Sequence, residues 1–379
     1  MSDKVKHLIG ISGGKDSAAL AIYLNNKYPN LDLVYYFCDT GKELDETYQL
    51  IENLEIYLGK KITKLEAAEA KKANDNPFDF YYKAYRNYLP NQVSRWCTKN
   101  MKLDPFEEFV GEDEVISYVG IRGDEDREGY ISTKRNIQSI FPYRYNIWSD
   151  DVTKKFLANG NIDQAKSFFS EIINGQKLDK VVSILNNKLE LEERNAKANR
   201  KKFLTKQAKL FDFGIPEYNH AVFNWLKNTH YPLAKLENFE LLDNEDNLVR
   251  NDIFKLLEDS GVGIPKYYKK LEYEVNGQKG EYARSRSGCF FCFFQQKIEW
   301  VWLYEQHPDL FEKAKHYEKV DEGFTWNQNE SLDDLVHPRR IEQIKEEHLN
   351  RKNKEKSKGS SFLLDILEEE EESCLACFL

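Results

Sequence analysis

The first part of the chain alternates short apolar runs with helix-like stretches. Each apolar run has the length of a buried strand, and the runs cover residues 5–11, 31–40 and 61–65. Between them, residues 18–24 are rich in alanine and leucine, and residues 44–58 repeat apolar side chains at helical spacing. This order of strand, helix, strand, helix and strand predicts a parallel sheet with right-handed crossovers.

A further strand is predicted over residues 115–121. Parallel sheets of this kind bind ligands at the carboxyl ends of their strands, where residues 12–17 and 39–41 lie. We therefore predict an α/β fold with a doubly wound parallel sheet, and a ligand site formed by these two segments.

Beyond residue 145 the sequence becomes polar and helix-like, which predicts a helical insertion over residues 146–249. The pattern of the first part restarts at residue 250 and continues to residue 345. Residues 346–379 are rich in lysine and glutamate and predict a flexible charged tail. Residues 1–145 and 250–345 are thus expected to form one α/β domain that the insertion interrupts.

Charge, apolar runs and cysteine content limit the classes to which the protein can belong. A net charge of −9 argues against coating nucleic acid by bulk electrostatics, although it leaves room for a local basic groove. The N-terminal residues lack a signal-peptide pattern, and no apolar run has the length of a membrane span, so we expect a cytoplasmic protein. The six cysteines include two Cys-x-x-Cys pairs, which in this setting favour metal, cluster or redox chemistry over structural disulfides.

The first predicted strand ends in the hexapeptide Ser12-Gly13-Gly14-Lys15-Asp16-Ser17. Its two glycines let the backbone approach a ligand closely, and Asp16 or Ser17 can cap the following helix. The free N–H groups at the helix start attract anions, and Lys15 adds a mobile cation. The arrangement suits a pyrophosphate group; the alternative is an ordinary strand-to-helix turn with a surface lysine.

The hexapeptide resembles the PP-loop of the N-type ATP pyrophosphatases and lacks the longer glycine loop of a Walker motif. In that family the loop holds the β- and γ-phosphates of ATP while the α-phosphate is attacked. The resemblance therefore implies ATP binding by residues 12–17 and a HUP-like, adenine nucleotide alpha hydrolase fold.

A second resemblance begins at the end of the second strand, and it is carried by Asp39-Thr40-Gly41, Glu43 and Glu46-Thr47-Tyr48. These residues are similar to a stretch of the phosphoadenosine phosphosulfate (PAPS) reductase family, except that Asp45 stands where that family often has proline. The backbone here can hold an adenine edge, and Asp39 can bind a ribose hydroxyl or magnesium. Alternatively, Asp39 is a turn or helix-capping residue.

A single thiol, Cys97, lies among the cations Arg95, Lys99 and Lys102. Nearby cations lower a thiol pKa and favour a thiolate or a metal ligand, whereas the alternative is a buried cysteine at a helix start. The segment resembles one in the sulfonucleotide reductases. Trp96 stands where the reductases with an iron–sulfur cluster have a second cysteine.

The strand predicted over residues 115–121 is followed by Arg122 and Arg127, where the PAPS reductase family also has arginines. Such arginines can clamp phosphate or sulfate through paired hydrogen bonds. The alternative is that they pair with the acidic residues 124–126 within the same loop.

The second strong motif is Cys289-Phe290-Phe291-Cys292, which follows Gly288. It resembles the cysteine pair of the cluster-containing reductases and is still more similar to the sulfurtransferases of DNA phosphorothioation. The resemblance implies that Cys97, Cys289 and Cys292 hold an iron–sulfur cluster with one open iron; zinc binding or a disulfide are alternatives. The C-terminal pair Cys374 and Cys377 can shuttle sulfur or electrons, complete the ligand set, or belong to a docking peptide.

Two further segments each have two possible roles. The aromatic residues between 74 and 92 are either a substrate wall or, as we prefer, core. The basic run over residues 189–209 either meets nucleic-acid phosphates or, as we prefer, forms the solvated face of a helix.

The resemblance covers residues 5–145 and 250–320 and implies an ATP-dependent sulfurtransferase. The enzyme would adenylylate an acceptor, release pyrophosphate, and let sulfide or a persulfide displace AMP. The cofactors implied are ATP, magnesium on Asp16 or Asp39, and the cluster. The implied catalytic residues are Lys15, Asp16, Cys97, Arg122 and Arg127.

The implied partners are a nucleic acid or small-molecule acceptor and a sulfur donor such as a cysteine desulfurase, with no membrane. A PAPS or APS reductase is the second hypothesis, although Lys15 and Asp16 favour a triphosphate. The third is a non-catalytic nucleotide-binding protein with a regulatory or phage-defence role.

Overall fold

A computed structural model of the protein describes residues 4–127, 132–328 and 330–357, with side chains described as far as residue 354. Within these residues, five parallel strands form one sheet in the order β3-β2-β1-β4-β5. The strands are β1 (Lys6–Gly10), β2 (Leu33–Cys38), β3 (Ile62–Leu65), β4 (Val115–Tyr118) and β5 (Ile137–Ile140). The predicted α/β fold with a parallel sheet is therefore confirmed.

Both faces of this sheet are buried. Ile9 and Tyr35 point to one side and join a large core with the first helix, whereas Leu8 and Tyr36 point to the other side and pack with Phe106. Because neither face meets water, β1 and β2 consist of nearly continuous apolar runs, which is why the sequence revealed them.

Helices cover the sheet on both sides. In the first part of the chain they are α1 (Lys15–Lys27), α2 (Asp45–Leu58), α3 (Ala68–Lys72), α4 (Pro77–Ala84), α5 (Trp96–Thr98) and α6 (Asp104–Val110), with a π-helical turn at Lys99–Leu103. The aromatic segment is core in part: Phe78 and Tyr81 are buried and Phe80 and Tyr82 pack against them, whereas Tyr85 and Tyr88 are exposed.

The insertion is helical, as the sequence predicts. It contains α7 (Asp150–Phe156), α8 (Ile162–Ser170), α9 (Gly175–Asn186), α10 (Ala196–Phe211) and α11 (Ile215–Leu226), with 3-10 turns at Asn159–Asn161, Pro232–Lys235 and Glu240–Asp243. Phe156, Phe169 and Tyr218 belong to the same core as α1 and β1. The insertion thus completes the hydrophobic core on one face of the sheet.

The rest of the chain adds α12 (Arg250–Ser260), β6 (Leu271–Val275), β7 (Gln278–Tyr282), α13 (Lys297–Gln306), α14 (Pro308–Lys315), α15 (Leu332–Leu335) and α16 (Pro338–Ser357), with 3-10 turns at Lys266–Tyr268 and Val320–Glu322. α12 packs on α1, and β6 and β7 form an antiparallel hairpin. None of the described helices is long and apolar enough to cross a membrane.

The segment expected to be a flexible tail begins inside a helix. α16 runs from Pro338 to Ser357, and its residues Ile344 and Leu349 are buried in the core of the C-terminal part. Ile341, three residues before Ile344, packs against the same core, so an apolar face docks the helix although most of its other residues are charged. Cys374 and Cys377 lie outside the described residues.

Candidate functional site

The carboxyl ends of β1 and β4 lie side by side at one edge of the sheet. The chain order of the strands reverses between β1 and β4, and open α/β sheets bind ligands at such a switch point. The loop after β1 contains Asp16, and the loop after β4 contains Arg122. Arg122 Nη1 lies 2.9 Å from Asp16 Oδ1, so an ion pair joins the two loops across the switch point.

The loop over residues 12–17, called the phosphate loop because its sequence predicts phosphate binding, has a backbone that requires glycine at residue 13. Gly13 has a φ of +76°, and a Cβ atom there would lie 2.2 Å from Thr47 Cγ2. Gly14 is the N-cap residue of α1, which has no side-chain cap; capping by Asp16 or Ser17 is therefore wrong. Ser17 instead donates from Oγ to the carbonyl of Gly14 at 3.2 Å. The positive end of the helix dipole thus faces the loop without a capping side chain.

Lys15 is fixed rather than mobile, which corrects the sequence-based expectation. Its side chain is only 2% exposed, its Nζ lies 3.0 Å from Asp16 Oδ2, and it sits 5.2 Å from the ring centre of Tyr268. Since Arg122 binds the other oxygen of Asp16, this carboxylate is held between two cations. An entering phosphate would compete with Asp16 for both of them.

The two predicted arginines lie in one buried ionic network. Arg122 is fully buried and pairs with Asp124 at 2.9 Å and with Glu125 at 2.8 Å. Arg127 pairs with Glu125 at 2.7 Å. Pairing within the loop, the alternative reading, is therefore present, but Arg122 also reaches the phosphate loop through Asp16.

Arg144 supports this network and was missed as a site residue. Its guanidinium donates to the backbone carbonyls of Arg122 at 3.1 Å, Glu125 at 2.9 Å and Arg127 at 2.7 Å. Burial lowers the pKa of Arg144 to about 10, so the side chain keeps its charge at neutral pH. Its contacts go to backbone atoms, which no local motif reports.

A second group of side chains lies at the end of β2. Asp39 Oδ1 accepts from the N–H of Gly41 at 2.7 Å and from Tyr48 at 2.9 Å, while Oδ2 pairs with Lys64 at 2.5 Å. Burial opposes ionisation of Asp39, but bonds from Glu43, Lys64 and Gly41 outweigh it and lower the pKa of Asp39. Its role as a turn residue is thus supported by the bond to Gly41.

Glu43 is a buried carboxyl group beside a cysteine of the second motif. Burial, and then the neighbouring Asp39, raise the pKa of Glu43 to about 7. Thr40 Oγ1 donates to Glu43 Oε1 at 2.7 Å and lies 3.1 Å from Cys289 Sγ. A short backbone bridge also pairs Glu43 with Cys289. The Glu43 carboxyl group, the Thr40 hydroxyl group and the Cys289 thiol are therefore linked in a row at hydrogen-bonding distances.

The thiol of Cys289 is held in its protonated form. Burial, together with the nearby Glu43 and Cys292, raises its pKa well above the ordinary value, and Lys102 only partly opposes this shift. A second buried thiol, Cys38, lies at the end of β2, and burial raises its pKa to about 12. Neither thiol ionises readily at neutral pH without a base.

The cationic cluster expected around Cys97 is dispersed. Lys99 pairs with Asp104 at 2.7 Å, and the guanidinium of Arg95 lies 5.1 Å from the ring centre of Phe294. The charge of Lys102 acts on Cys38, Glu43 and Cys289. The three cations are close together along the chain, but in the folded protein their side chains interact with different partners.

The described residues contain no group of three or more His, Cys, Asp or Glu side chains placed to hold a metal ion. Cys97, Cys289 and Cys292 therefore do not form a ready ligand set for a cluster or zinc. The carboxylates expected to bind magnesium are also engaged: Asp16 by two cations, and Asp39 by Lys64 and by donors on its other oxygen. These donor sets do not fit a resident metal.

Residues from the C-terminal part complete the phosphate loop. Tyr267 donates to the carbonyl of Gly13 at 2.8 Å, and Ser287 Oγ donates to the carbonyl of Ser12 at 3.3 Å. Tyr268 accepts from the N–H of Lys15 at 3.4 Å. Sequence reasoning missed all three because these residues lie more than 250 positions beyond the loop.

Part of the basic run is engaged within the chain. Arg200 pairs with Asp126 and Asp150, and Lys206 donates to the carbonyls of Leu185 and Asn187. Arg194, Lys197, Lys201 and Lys209 are exposed, which agrees with the preferred interpretation of a solvated helix face, whereas Lys206 is buried.

A glycine loop with a buried lysine and arginine, at the switch point of a parallel sheet, defines a nucleotide-binding α/β domain. Residues 6–147 match the phosphoadenosine phosphosulfate reductase domain, so this part of the chain is similar to that family. No solved structure matches the chain.

The chain is also similar to an uncharacterized protein of Methanocaldococcus jannaschii, with 32% identity over 162 residues. The match covers 38% of this chain and 32% of that protein, so the chain spans about a third of the length of the curated relative it matches.

Proposed function

We propose that the protein is an ATP-dependent sulfurtransferase that activates an acceptor with ATP and then delivers sulfur through Cys289 and Cys292. One observation carries the proposal. The segment with the cysteine pair contacts the phosphate loop through Ser287 and Ser12, and it contacts the end of β2 through Cys289 and Thr40. Nucleotide activation and thiol chemistry thereby share one site.

In the first step, an acceptor oxygen attacks the α-phosphorus of ATP and pyrophosphate leaves. The start of α1 and Lys15 bind the β- and γ-phosphates, with Lys15 exchanging Asp16 for a phosphate oxygen. Arg122 stabilises the charge that develops on the phosphate, because a buried cation acts more strongly than an exposed one.

In the second step, a persulfide carried by Cys289 attacks the activated acceptor atom, and AMP leaves with the bonding electron pair. The product is a mixed disulfide between Cys289 and the acceptor. The Cys292 thiolate then attacks Cys289 Sγ, which releases the acceptor thiolate and forms a Cys289–Cys292 disulfide. A sulfane-sulfur donor loads the persulfide, and a dithiol reductant resets the disulfide.

Glu43 is the base that this chemistry needs. The pKa of Cys289 is raised, so its proton must move to an acceptor before the thiol can be loaded with sulfur. Thr40 links Cys289 to Glu43, whose pKa of about 7 suits proton exchange near neutral pH. No step in this scheme uses a metal ion.

A sulfonucleotide reductase is the second candidate, because residues 6–147 match the PAPS reductase domain. It would use the same fold, but it would reduce a sulfonucleotide to sulfite without releasing pyrophosphate. The two candidates therefore differ in their products, which makes them easy to separate.

The test uses the full chain purified without oxygen and incubated with ATP, so that water can take the place of the acceptor. We expect pyrophosphate and AMP in equal amounts, and about a hundredfold less of both with Lys15→Met. Lys61→Met is the matched control, because this lysine is exposed and lies outside the site. Sulfite formed from PAPS, without pyrophosphate from ATP, would replace the proposal with the reductase.

A further inference from the structure

A large cleft lies beside the cysteine segment and has no role in the chemistry above. Its volume is about 1040 Å³, and its walls come from the loop after α4, the residues that follow Cys292, and α16. The residues that decide its chemistry are Tyr88, Arg286, Phe293, Phe294, Gln295 and Arg351. A cleft of this size accommodates a ligand as large as a nucleotide.

Gln295 gives the cleft a specific polar group. The residue is 7% exposed, and neither its side-chain Nε2 nor its Oε1 has a hydrogen-bond partner. Leaving both atoms of a buried amide unpaired is costly, so such a group points to a ligand that pairs with it. A glutamine amide offers one donor beside one acceptor, which matches the edge of a nucleobase.

Aromatic side chains line the same cleft as this amide. Phe293 and Phe294 have ring centres 4.3 Å apart, with Phe294 buried and Phe293 half-buried, and Tyr88 is exposed. Planar bases stack on such rings, and because every base has a π-face the stacking tolerates any sequence. The amide and the rings together fit a flat heterocycle with hydrogen-bonding edges.

The cleft is also locally basic, although the chain carries a net charge of −9. Arg286 lies 5.9 Å from the ring centre of Phe294, and Arg351 donates to Gln296 at 2.6 Å. One carboxylate of the lining, Glu347, is paired with Arg340 at 3.4 Å. An arginine beside an aromatic ring, with a second arginine in the same lining, suits a ligand that carries phosphate next to its base.

We propose that this cleft is a nucleobase-binding site in which Gln295 reads the edge of the base and Arg286 and Arg351 hold its phosphate. The inference rests on the proposed function, because it names the acceptor's chemical class. Phe293 directly follows Cys292, and Arg286 directly precedes Ser287, which bonds to the phosphate loop. The lining of the cleft is therefore continuous along the chain with the cysteine pair and with the residue that contacts the phosphate loop.

The ligand is either a free nucleotide or a base within a single strand. Binding of a fluorescein-labelled 12-nucleotide single-stranded oligonucleotide, followed by anisotropy, tests the strand. Unlabelled nucleoside monophosphates as competitors test the free nucleotide. Binding of either probe that weakens about tenfold or more in Gln295→Leu supports the site, since a paired amide contributes this much discrimination.

Gln49→Leu is the matched control, because Gln49 is an exposed glutamine on α2. Gln295→Glu keeps the side chain's shape while removing its donor, and we expect it to weaken binding as well. Melting temperatures of all variants separate lost binding from lost folding. Failure of both probes to bind the wild-type chain, or equal binding by wild type and the folded Gln295→Leu variant, would overturn the inference.

Variants at Lys15 and Gln295 separate a failure of this inference from a failure of the proposed function. Lys15→Met should abolish pyrophosphate release and leave oligonucleotide binding within about twofold, because Lys15 is not among the residues that line the cleft. Conversely, Gln295→Leu should retain pyrophosphate release when water is the acceptor. A wild-type chain that binds the base probe but releases no pyrophosphate from ATP would thus count against the ATP site alone.

Discussion

At the scale of single residues, Lys15 and Asp16 show what a sequence motif can predict and what it cannot. The hexapeptide located both residues in the site, but it implied a mobile lysine and a helix-capping aspartate. In the structure they form a buried pair that Arg122 completes. Arg122 lies 106 positions away, and no local pattern shows that it meets Asp16.

Gly13 leads to the first prediction. Gly13→Ala should lower stability by about 2 kcal/mol or more and abolish nucleotide binding, because the new methyl group meets Thr47 and the left-handed backbone is strained. Gly59→Ala is the matched control: its φ is +62°, but nothing lies within 4 Å of its Cβ position. Thermal melting and ATP titration would show the contrast, and equal effects of the two variants would contradict it.

Glu43 leads to the second prediction, on pH and stability. Burial raises the pKa of Glu43 from 4.5 to about 7, so the folded protein holds this proton more tightly than the unfolded chain. Its contribution to stability should therefore be complete below pH 4.5 and fall by about 3 kcal/mol by pH 8. The lowered pKa of Asp39 acts below this window, so it does not mask the effect.

Glu43→Gln removes this titration and should flatten the dependence of stability on pH between 5 and 8. The same variant should slow sulfur transfer, because the amide cannot accept a proton from Cys289 through Thr40. Urea unfolding at several pH values measures the first effect. An unchanged slope in the variant would show that Glu43 does not titrate in this range.

At the scale of elements, strands and helices differed in how well the sequence revealed them. β1 and β2 are long apolar runs and were predicted. β5 has only four residues, of which Gln138 and Ser139 are polar, so its apolar signal is too short. The hairpin of β6 and β7 was missed although Asn276 and Gly277 form its turn with positive φ, a dipeptide that favours two-residue hairpins.

The helical insertion leads to the third prediction. Phe156 of α7 is fully buried in a core shared with α1, so Phe156→Ala should cost about 3–5 kcal/mol. Because the core is shared, we expect one cooperative unfolding transition at a lower temperature, and weaker ATP binding only when the fold is partly lost. Two separate transitions, with the later one unchanged, would show that the insertion unfolds as an independent unit.

At the scale of the whole molecule, the decisive contact joins Thr40 and Cys289, which are 249 positions apart. The sequence identified both motifs, but it grouped Cys289 with Cys97 in a cluster site. The described residues form no such metal-binding group, and Cys289 instead lies beside Glu43. A motif predicts the chemistry of its own segment, but the packing of the folded chain determines which segments are in contact.

The fourth prediction separates the two halves of the proposed reaction. Cys289→Ser should retain pyrophosphate release while losing sulfur transfer by about a hundredfold or more, because serine cannot carry a persulfide. Mass spectrometry of the protein after incubation with a sulfane-sulfur donor should find the extra sulfur on Cys289 in the wild type. Cys97→Ser is the comparison, and loss of sulfur transfer in this variant would restore Cys97 to the chemistry.

Local signals were enough to predict the buried strands, the glycine loop, the arginines after β4 and the cysteine pair. Backbone geometry and apolar periodicity are local properties, so they can be read from neighbouring residues. Tertiary structure decided the ion pairs of Lys15 and Arg122, the position of Cys289 beside Glu43 and the cleft at Gln295. Burial and electrostatic pairing arise between distant segments, so only the folded chain fixes them.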